Sequence, residues 1–98
     1  MKISCVQMDM RLGEVDHNFA HAQDLIRRAA AEDRPDTVVL PEMWNAGFYP
    51  LDLAACADRE GERTRAVFGP LAKELGINIV CGSVAARKAD GFYNTALI

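Results

Sequence analysis

Short apolar runs alternate with longer amphipathic segments in this 98-residue chain, and that alternation limits the folds open to it. The runs at Lys2–Met8, Thr37–Leu40 and Ile77–Val84 are typical of strands that are buried on both faces. Between them, residues 17–32 and 62–75 place apolar side chains at helical spacing. Strands that alternate with helices predict right-handed βαβ units and an α/β fold.

The ends of these elements follow from residues with special backbone preferences. Asp16 is a suitable N-cap for the first helix, and the proline-containing turn at 34–36 ends that helix. We expect the Gly-Pro pair at 69–70 to kink the second helix or to divide it into two pieces, and Gly76 to cap it. The Asp-Gly pair at 90–91 supplies the turn before a last strand.

Composition argues against several classes of function. The formal net charge is −3, so nothing suggests nucleic acid or an anionic membrane as a partner. No window approaches the roughly 20 apolar residues of a spanning helix, and residues 1–10 lack the apolar core of a signal peptide. Three cysteines at irregular spacing, with no CxxC pair, predict a reducing compartment, by default the cytoplasm.

Neither a metal site nor a cofactor site is predicted. His17 and His21 are four residues apart, as in H-E-x-x-H zinc helices, but Asn18 stands where the glutamate belongs and no third ligand is evident. We interpret the pair as surface histidines. The connections after the strands lack the glycine spacing of a dinucleotide- or phosphate-binding loop.

A carboxylate follows directly after the second predicted strand. Glu42 ends the stretch VVLPE, and open α/β folds bind their ligands just past the carboxyl ends of parallel strands. Trp44, Phe48 and Tyr49 come next, so we expect the carboxylate to be partly desolvated, which makes it a better base. From its position alone, Glu42 is either a functional base or an exposed acid in a surface loop.

An ordered set of short motifs runs through the whole chain. It comprises Gln7-Met8-Asp9, Gly13, Asn18, Asp36-Thr37-Val38-Val39-Leu40-Pro41-Glu42, Gly47-Phe48-Tyr49, Leu71-Ala72-Lys73-Glu74-Leu75-Gly76-Ile77, Val80, Gly82-Ser83 and Tyr93-Asn94-Thr95-Ala96. In this order the motifs resemble the N-terminal part of the carbon–nitrogen hydrolases, the nitrilase superfamily of amidases, nitrilases and carbamoylases. The match is strongest over residues 36–42.

The resemblance implies a fold and an assembly. The fold is an α-β-β-α sandwich, and residues 1–98 would be the N-terminal portion of a single domain. The chain stops within an apolar strand at residues 95–98, so we expect it to be the first part of a longer protein. The full-length form is expected to be a homo-oligomer.

The resemblance also implies a mechanism based on a Glu-Lys-Cys triad. Glu42 corresponds to the general base, whereas the lysine and the nucleophilic cysteine are expected beyond Ile98, so the 98 residues alone should be inactive. The sequence from Cys56 to Arg59 faintly resembles the nucleophile motif of the family. It precedes the missing lysine and follows no predicted strand, so Cys56 is rejected as the nucleophile.

The residues that follow Glu42 are most similar to the omega-amidase branch, which acts on small ω-amides of dicarboxylates such as 2-oxoglutaramate. Phe48 and Tyr49 are candidates for the lining of the substrate pocket, the alternative being that they pack in the core of their loop. A function of another class also remains open. The chain could be a complete, non-catalytic α/β module that binds a partner or a small ligand and uses Glu42 as an ordinary polar contact.

Overall fold

The computed structural model describes residues 1–98 and contains two three-stranded sheets. In chain order the elements are β1 Ile3–Cys5, α1 Val15–Asp33, β2 Thr37–Val39, α2 Leu53–Cys56, β3 Asp58–Arg59, α3 Glu62–Leu75, β4 Asn78–Val80, β5 Ser83–Lys88 and β6 Gly91–Ala96. The first sheet has the order β1-β2-β4 and is parallel throughout. The second has the order β3-β5-β6, in which β5 and β6 form an antiparallel hairpin. The predicted α/β fold is confirmed.

Helix α1 spans Val15–Asp33 and presents an apolar stripe to the core, as its spacing predicted. The prediction of Asp16 as its N-cap is wrong, because the cap position is occupied by Glu14. Asp16 lies in the first turn, where an acid still favours the positive end of the helix dipole. Its carboxylate is paired at 2.8 Å with the guanidinium of Arg63, at the start of α3.

Helix α3 is continuous from Glu62 to Leu75, so the predicted division into two pieces is wrong. Gly69 and Pro70 both lie on its exposed side. Gly76 caps the helix in the left-handed conformation, as predicted, and its N–H donates to the Ala72 carbonyl.

The sequence did not predict strand β3, because it has only two residues. Its Asp58 pairs with Ala86 of β5 in the parallel register. The buried Asp58 carboxylate accepts hydrogen bonds from the backbone N–H groups of Arg63 and Thr64 and from the Thr64 hydroxyl. This side chain therefore satisfies the free donors at the start of α3 and joins that helix to the second sheet.

The prediction of one strand over residues 77–84 is also wrong, because the run forms two strands in different sheets. Strand β4 ends at Val80 and β5 begins at Ser83. Between them Gly82 adopts a φ of 55° and its backbone lies against the carbonyls of Leu40 and Pro41. The chain turns at this glycine and passes from the first sheet to the second.

The core lies where α1 and α3 meet the first sheet. Its centre is an aromatic cluster of Phe19, Trp44 and Phe68, with ring centroids 4.8 to 6.0 Å apart. Edge-to-face contacts dominate this cluster, the geometry that aromatic quadrupoles favour. No helix combines the length and the apolar character needed to cross a membrane.

Candidate active site

Glu42 lies just beyond the carboxyl end of β2, the central strand of the first sheet. Its side chain is exposed, and its Oε1 accepts a hydrogen bond of 2.8 Å from the Nδ2 of Asn94. Asn94 belongs to β6, at the edge of the second sheet. The carboxylate therefore connects the end of one sheet to the outer strand of the other.

A shallow cavity of about 390 Å³ opens beside this carboxylate. It is lined by Glu42, Gly82, Ser83, Asn94 and Ala96. The volume falls within the roughly 300–1,000 Å³ of small-molecule sites. The sequence predicted Glu42 for this site but not Ser83 or Asn94, although both lie in the motifs on which the resemblance to the carbon–nitrogen hydrolases was based.

The prediction that aromatic side chains surround Glu42 is wrong. Trp44 points into the core, where it is fully buried and donates its indole N–H to the Cys81 carbonyl at 2.8 Å. Phe48 and Tyr49 point outward and are 53% and 94% exposed. Neither packs in a core and neither lines the cavity beside Glu42. Their place in a substrate pocket stays a prediction.

The loop that carries Glu42 is held by three polar side chains, of which Asn18 and Asn45 are buried and Ser83 is half-buried. The N–H of Met43 donates to the Ser83 Oγ at 3.1 Å. Asn45 donates to the Ala85 carbonyl at 3.2 Å and accepts from the Ala85 N–H at 2.9 Å, as a neighbouring strand would. Asn18 of α1 donates to the Asn45 carbonyl at 2.9 Å. The loop is thereby fixed to β5 on one side and to α1 on the other.

The other candidate residues lie apart from Glu42. The rings of His17 and His21 stack with centroids 5.7 Å apart, and no three His, Cys, Asp or Glu side chains are grouped so as to hold a metal ion. Cys56 is buried and its Sγ lies 3.6 Å from the Gly13 carbonyl oxygen.

A second cavity, of about 680 Å³, lies at the N-terminal ends of α1 and α3 and includes Cys56 but not Glu42. None of the residues in the motifs at 36–42 and 93–96 lines this cavity. The smaller cavity at Glu42 therefore remains the candidate active site.

The three cysteines should differ sharply in reactivity, because thiolates rather than thiols attack electrophiles. Burial raises the pKa of the Cys81 thiol to about 11, and Cys56 is also buried, whereas Cys5 is exposed. At pH 8 we expect a chromogenic disulfide reagent to modify one thiol rapidly in the folded chain and all three after unfolding. Cys5→Ser should abolish the rapid phase. A rapid phase that persists in this variant would show that a buried cysteine is accessible.

The fold and the site together define an α/β protein with a carboxylate-bearing cavity at the end of a central parallel strand. The chain matches the family model for carbon-nitrogen hydrolase over residues 2–98, and it belongs to the carbon–nitrogen hydrolase family. The resemblance drawn from the sequence motifs is thus confirmed.

Several relatives support this assignment. The chain is 36% identical over 96 residues to the 2-oxoglutaramate amidase of Bacillus subtilis (strain 168), and this match covers 98% of the chain and 36% of that protein. It is 31% identical over 103 residues to a nitrilase of Pyrococcus abyssi (strain GE5 / Orsay), covering 100% of the chain and 38% of that protein. It is also 31% identical over 88 residues to the chloroplastic omega-amidase of Arabidopsis thaliana, and the match covers 83% of the chain and 23% of that protein. The chain thus spans little more than a third of the first two proteins.

A solved structure shows the same fold. The crystal structure of Saccharomyces cerevisiae Nit3, a member of branch 10 of the nitrilase superfamily, superposes with a TM-score of 0.78 at 24% sequence identity. The match covers 98% of this chain and 38% of Nit3. The α/β arrangement described above is therefore also the fold of the matching part of Nit3.

Proposed function

We propose that residues 1–98 are the N-terminal portion of a single-domain carbon–nitrogen hydrolase of the amidase type, which cleaves the C–N bond of a small amide. The observation that carries this proposal is the position of Glu42. Its carboxylate stands at the carboxyl end of β2, is held by Asn94 and borders an open cavity, within a chain that belongs to this family.

In this proposal Glu42 is the general base of a Glu-Lys-Cys triad. It takes the proton of a cysteine thiol, and the thiolate attacks the amide carbonyl carbon to form a C–S bond. The lysine stabilises the negative oxygen of the tetrahedral intermediate. The C–N bond then breaks as the leaving nitrogen takes up a proton, and water hydrolyses the thioester to the acid.

The partners of Glu42 in this triad would come from chain beyond Ile98. None of the three cysteines lines the cavity beside Glu42. Lys73 and Lys88 do not line this cavity. Lys73 is exposed on α3, and Lys88 is exposed at the end of β5. We therefore propose that the 98 residues supply the base alone and have no hydrolytic activity by themselves.

The substrate we favour is a small ω-amide of a dicarboxylate, such as 2-oxoglutaramate. Its support is the similarity to a protein named 2-oxoglutaramate amidase over 98% of the chain, and to a protein named omega-amidase over 83%. Phe48 and Tyr49 are proposed to line the pocket once further chain covers them. We also expect the full-length protein to be a cytoplasmic homo-oligomer.

Ammonia release tests the proposal. The full-length protein is expected to release ammonia and 2-oxoglutarate from 2-oxoglutaramate, and the 98-residue chain is expected to release none, because no cysteine lines the cavity beside Glu42. A nitrile with the same carbon skeleton is the matched control, and its hydrolysis at a comparable rate would favour a nitrilase. A full-length protein that turns over neither compound, nor simple amides, would favour the non-catalytic binding module.

A further inference from the structure

The Glu42 side chain has a single fixed contact, although it is exposed. Its hydrogen bond from Asn94 is the only one it makes to another residue, and no cation is paired with it. Without that bond the side chain would be free to move among its rotamers. We propose that Asn94 is a positioning residue, which orients the Glu42 carboxylate for proton transfer. This inference rests on the proposed function.

Asn94 is itself held in register with the loop that carries Glu42. It lies opposite Ala85 in the β5–β6 hairpin. Ala85 is the residue whose backbone N–H and carbonyl are both bound by the side chain of Asn45, three positions after Glu42. Asn94 and the loop of Glu42 are therefore placed at the same position along β5, Asn94 through the pairing of β5 with β6 and the loop through the side chain of Asn45. A shift of one relative to the other would require the β5–β6 pairing or the Asn45 hydrogen bonds to break.

The chemistry of the donor suits a base. Asn94 donates through Nδ2 to Oε1 of Glu42 and leaves Oε2 without a partner in this chain. Proton transfer from a thiol requires a carboxylate oxygen that is free to accept the proton. An amide is neutral, so it orients the carboxylate without pairing it with a positive charge. Orientation matters because proton transfer requires the heavy atoms to come within hydrogen-bond reach.

Replacing Asn94 in the full-length enzyme tests the inference. We expect Asn94→Ala to lower kcat about 10- to 100-fold, the usual effect of a hydrogen bond to a charged group, with KM changed less than about twofold. Asn94→Asp should be worse, because a second carboxylate would repel that of Glu42. The matched control is Tyr93→Phe, which removes an exposed hydrogen bond to Asp90 from the same strand and should leave kcat unchanged.

A double-mutant cycle separates positioning from a general structural role. If Asn94 acts through Glu42, adding Asn94→Ala to Glu42→Gln should lower the remaining kcat by less than about threefold. A full 10- to 100-fold further loss would show that Asn94 acts independently of Glu42 and would overturn the inference. Activity retained by Glu42→Gln would instead overturn the proposed function. Loss of activity by Glu42→Gln alone, with Asn94→Ala normal, would overturn only the positioning role.

A measurement on the unmodified side chain covers the case in which Asn94→Ala fails to fold. In the full-length protein the Asn94 side-chain amide signals in a ¹⁵N–¹H spectrum should shift as acid protonates Glu42, because the acceptor loses its charge. Glu42→Gln should abolish this shift. Amide signals that do not respond to acid, or respond equally in Glu42→Gln, would overturn the inference.

Discussion

Replacing Glu42 with glutamine is expected to lower kcat of the full-length enzyme by roughly 100- to 10,000-fold, the usual contribution of a placed general base. The change removes the proton acceptor at nearly constant volume. It should leave the fold intact, since the side chain is exposed and its amide oxygen can still accept from Asn94. The measurement is steady-state ammonia release, with thermal unfolding recorded in parallel.

Two further variants sharpen this test. Glu42→Asp keeps the carboxylate but withdraws it from Asn94 by one methylene, so an intermediate loss is expected. Glu32→Gln neutralises an exposed acid on α1 that is paired only with Arg28, and it should not change kcat. More than about a tenth of normal turnover in Glu42→Gln, at unchanged unfolding temperature, would end the assignment of Glu42 as the base.

The position of Glu42 was predictable because local sequence specifies it. Val38 is fully buried in the central strand of a parallel sheet, and such strands are recognisable as uninterrupted apolar runs. A carboxylate two residues after such a run must emerge at the carboxyl end of the sheet. The surroundings of that carboxylate were not predictable in the same way. Met43 has a φ of 52°, and beyond it Trp44 enters the core while Tyr49 faces solvent.

The buried polar residues that hold the site were not predictable from local pattern either. Asparagine is common in turns and loops, and the burial of Asn45 is explained only by Ala85, forty positions away, whose N–H and carbonyl both bond to its side chain. Asn94 likewise gains its role from Glu42, 52 positions away. The division of residues 77–84 into two strands has the same origin, because it is imposed by contact with the end of β2 rather than by any polar residue in the run.

That contact leads to the largest expected effect on stability. A Cβ at Gly82 would overlap the carbonyl oxygens of Leu40 and Pro41 and lie 2.7 Å from the carbonyl carbon of Pro41. These are backbone atoms, which cannot rotate away as a side chain could. We expect Gly82→Ala to lower the free energy of unfolding by at least about 4 kcal/mol, from overpacking together with left-handed strain at φ 55°. Thermal unfolding should show a midpoint at least about 15 °C lower.

Two other glycines allow the causes of this loss to be separated. Gly69 lies in α3 with open space where a Cβ would be, so Gly69→Ala should raise stability by about 1 kcal/mol through helix propensity. Gly76 also has open space but a φ of 65°, so Gly76→Ala should cost only the left-handed strain, about 1–2 kcal/mol. If Gly82→Ala costs no more than Gly76→Ala, the ends of β2 and β4 are not in close contact. The cavity beside Glu42 would then lack the wall that Gly82 and Ser83 give it.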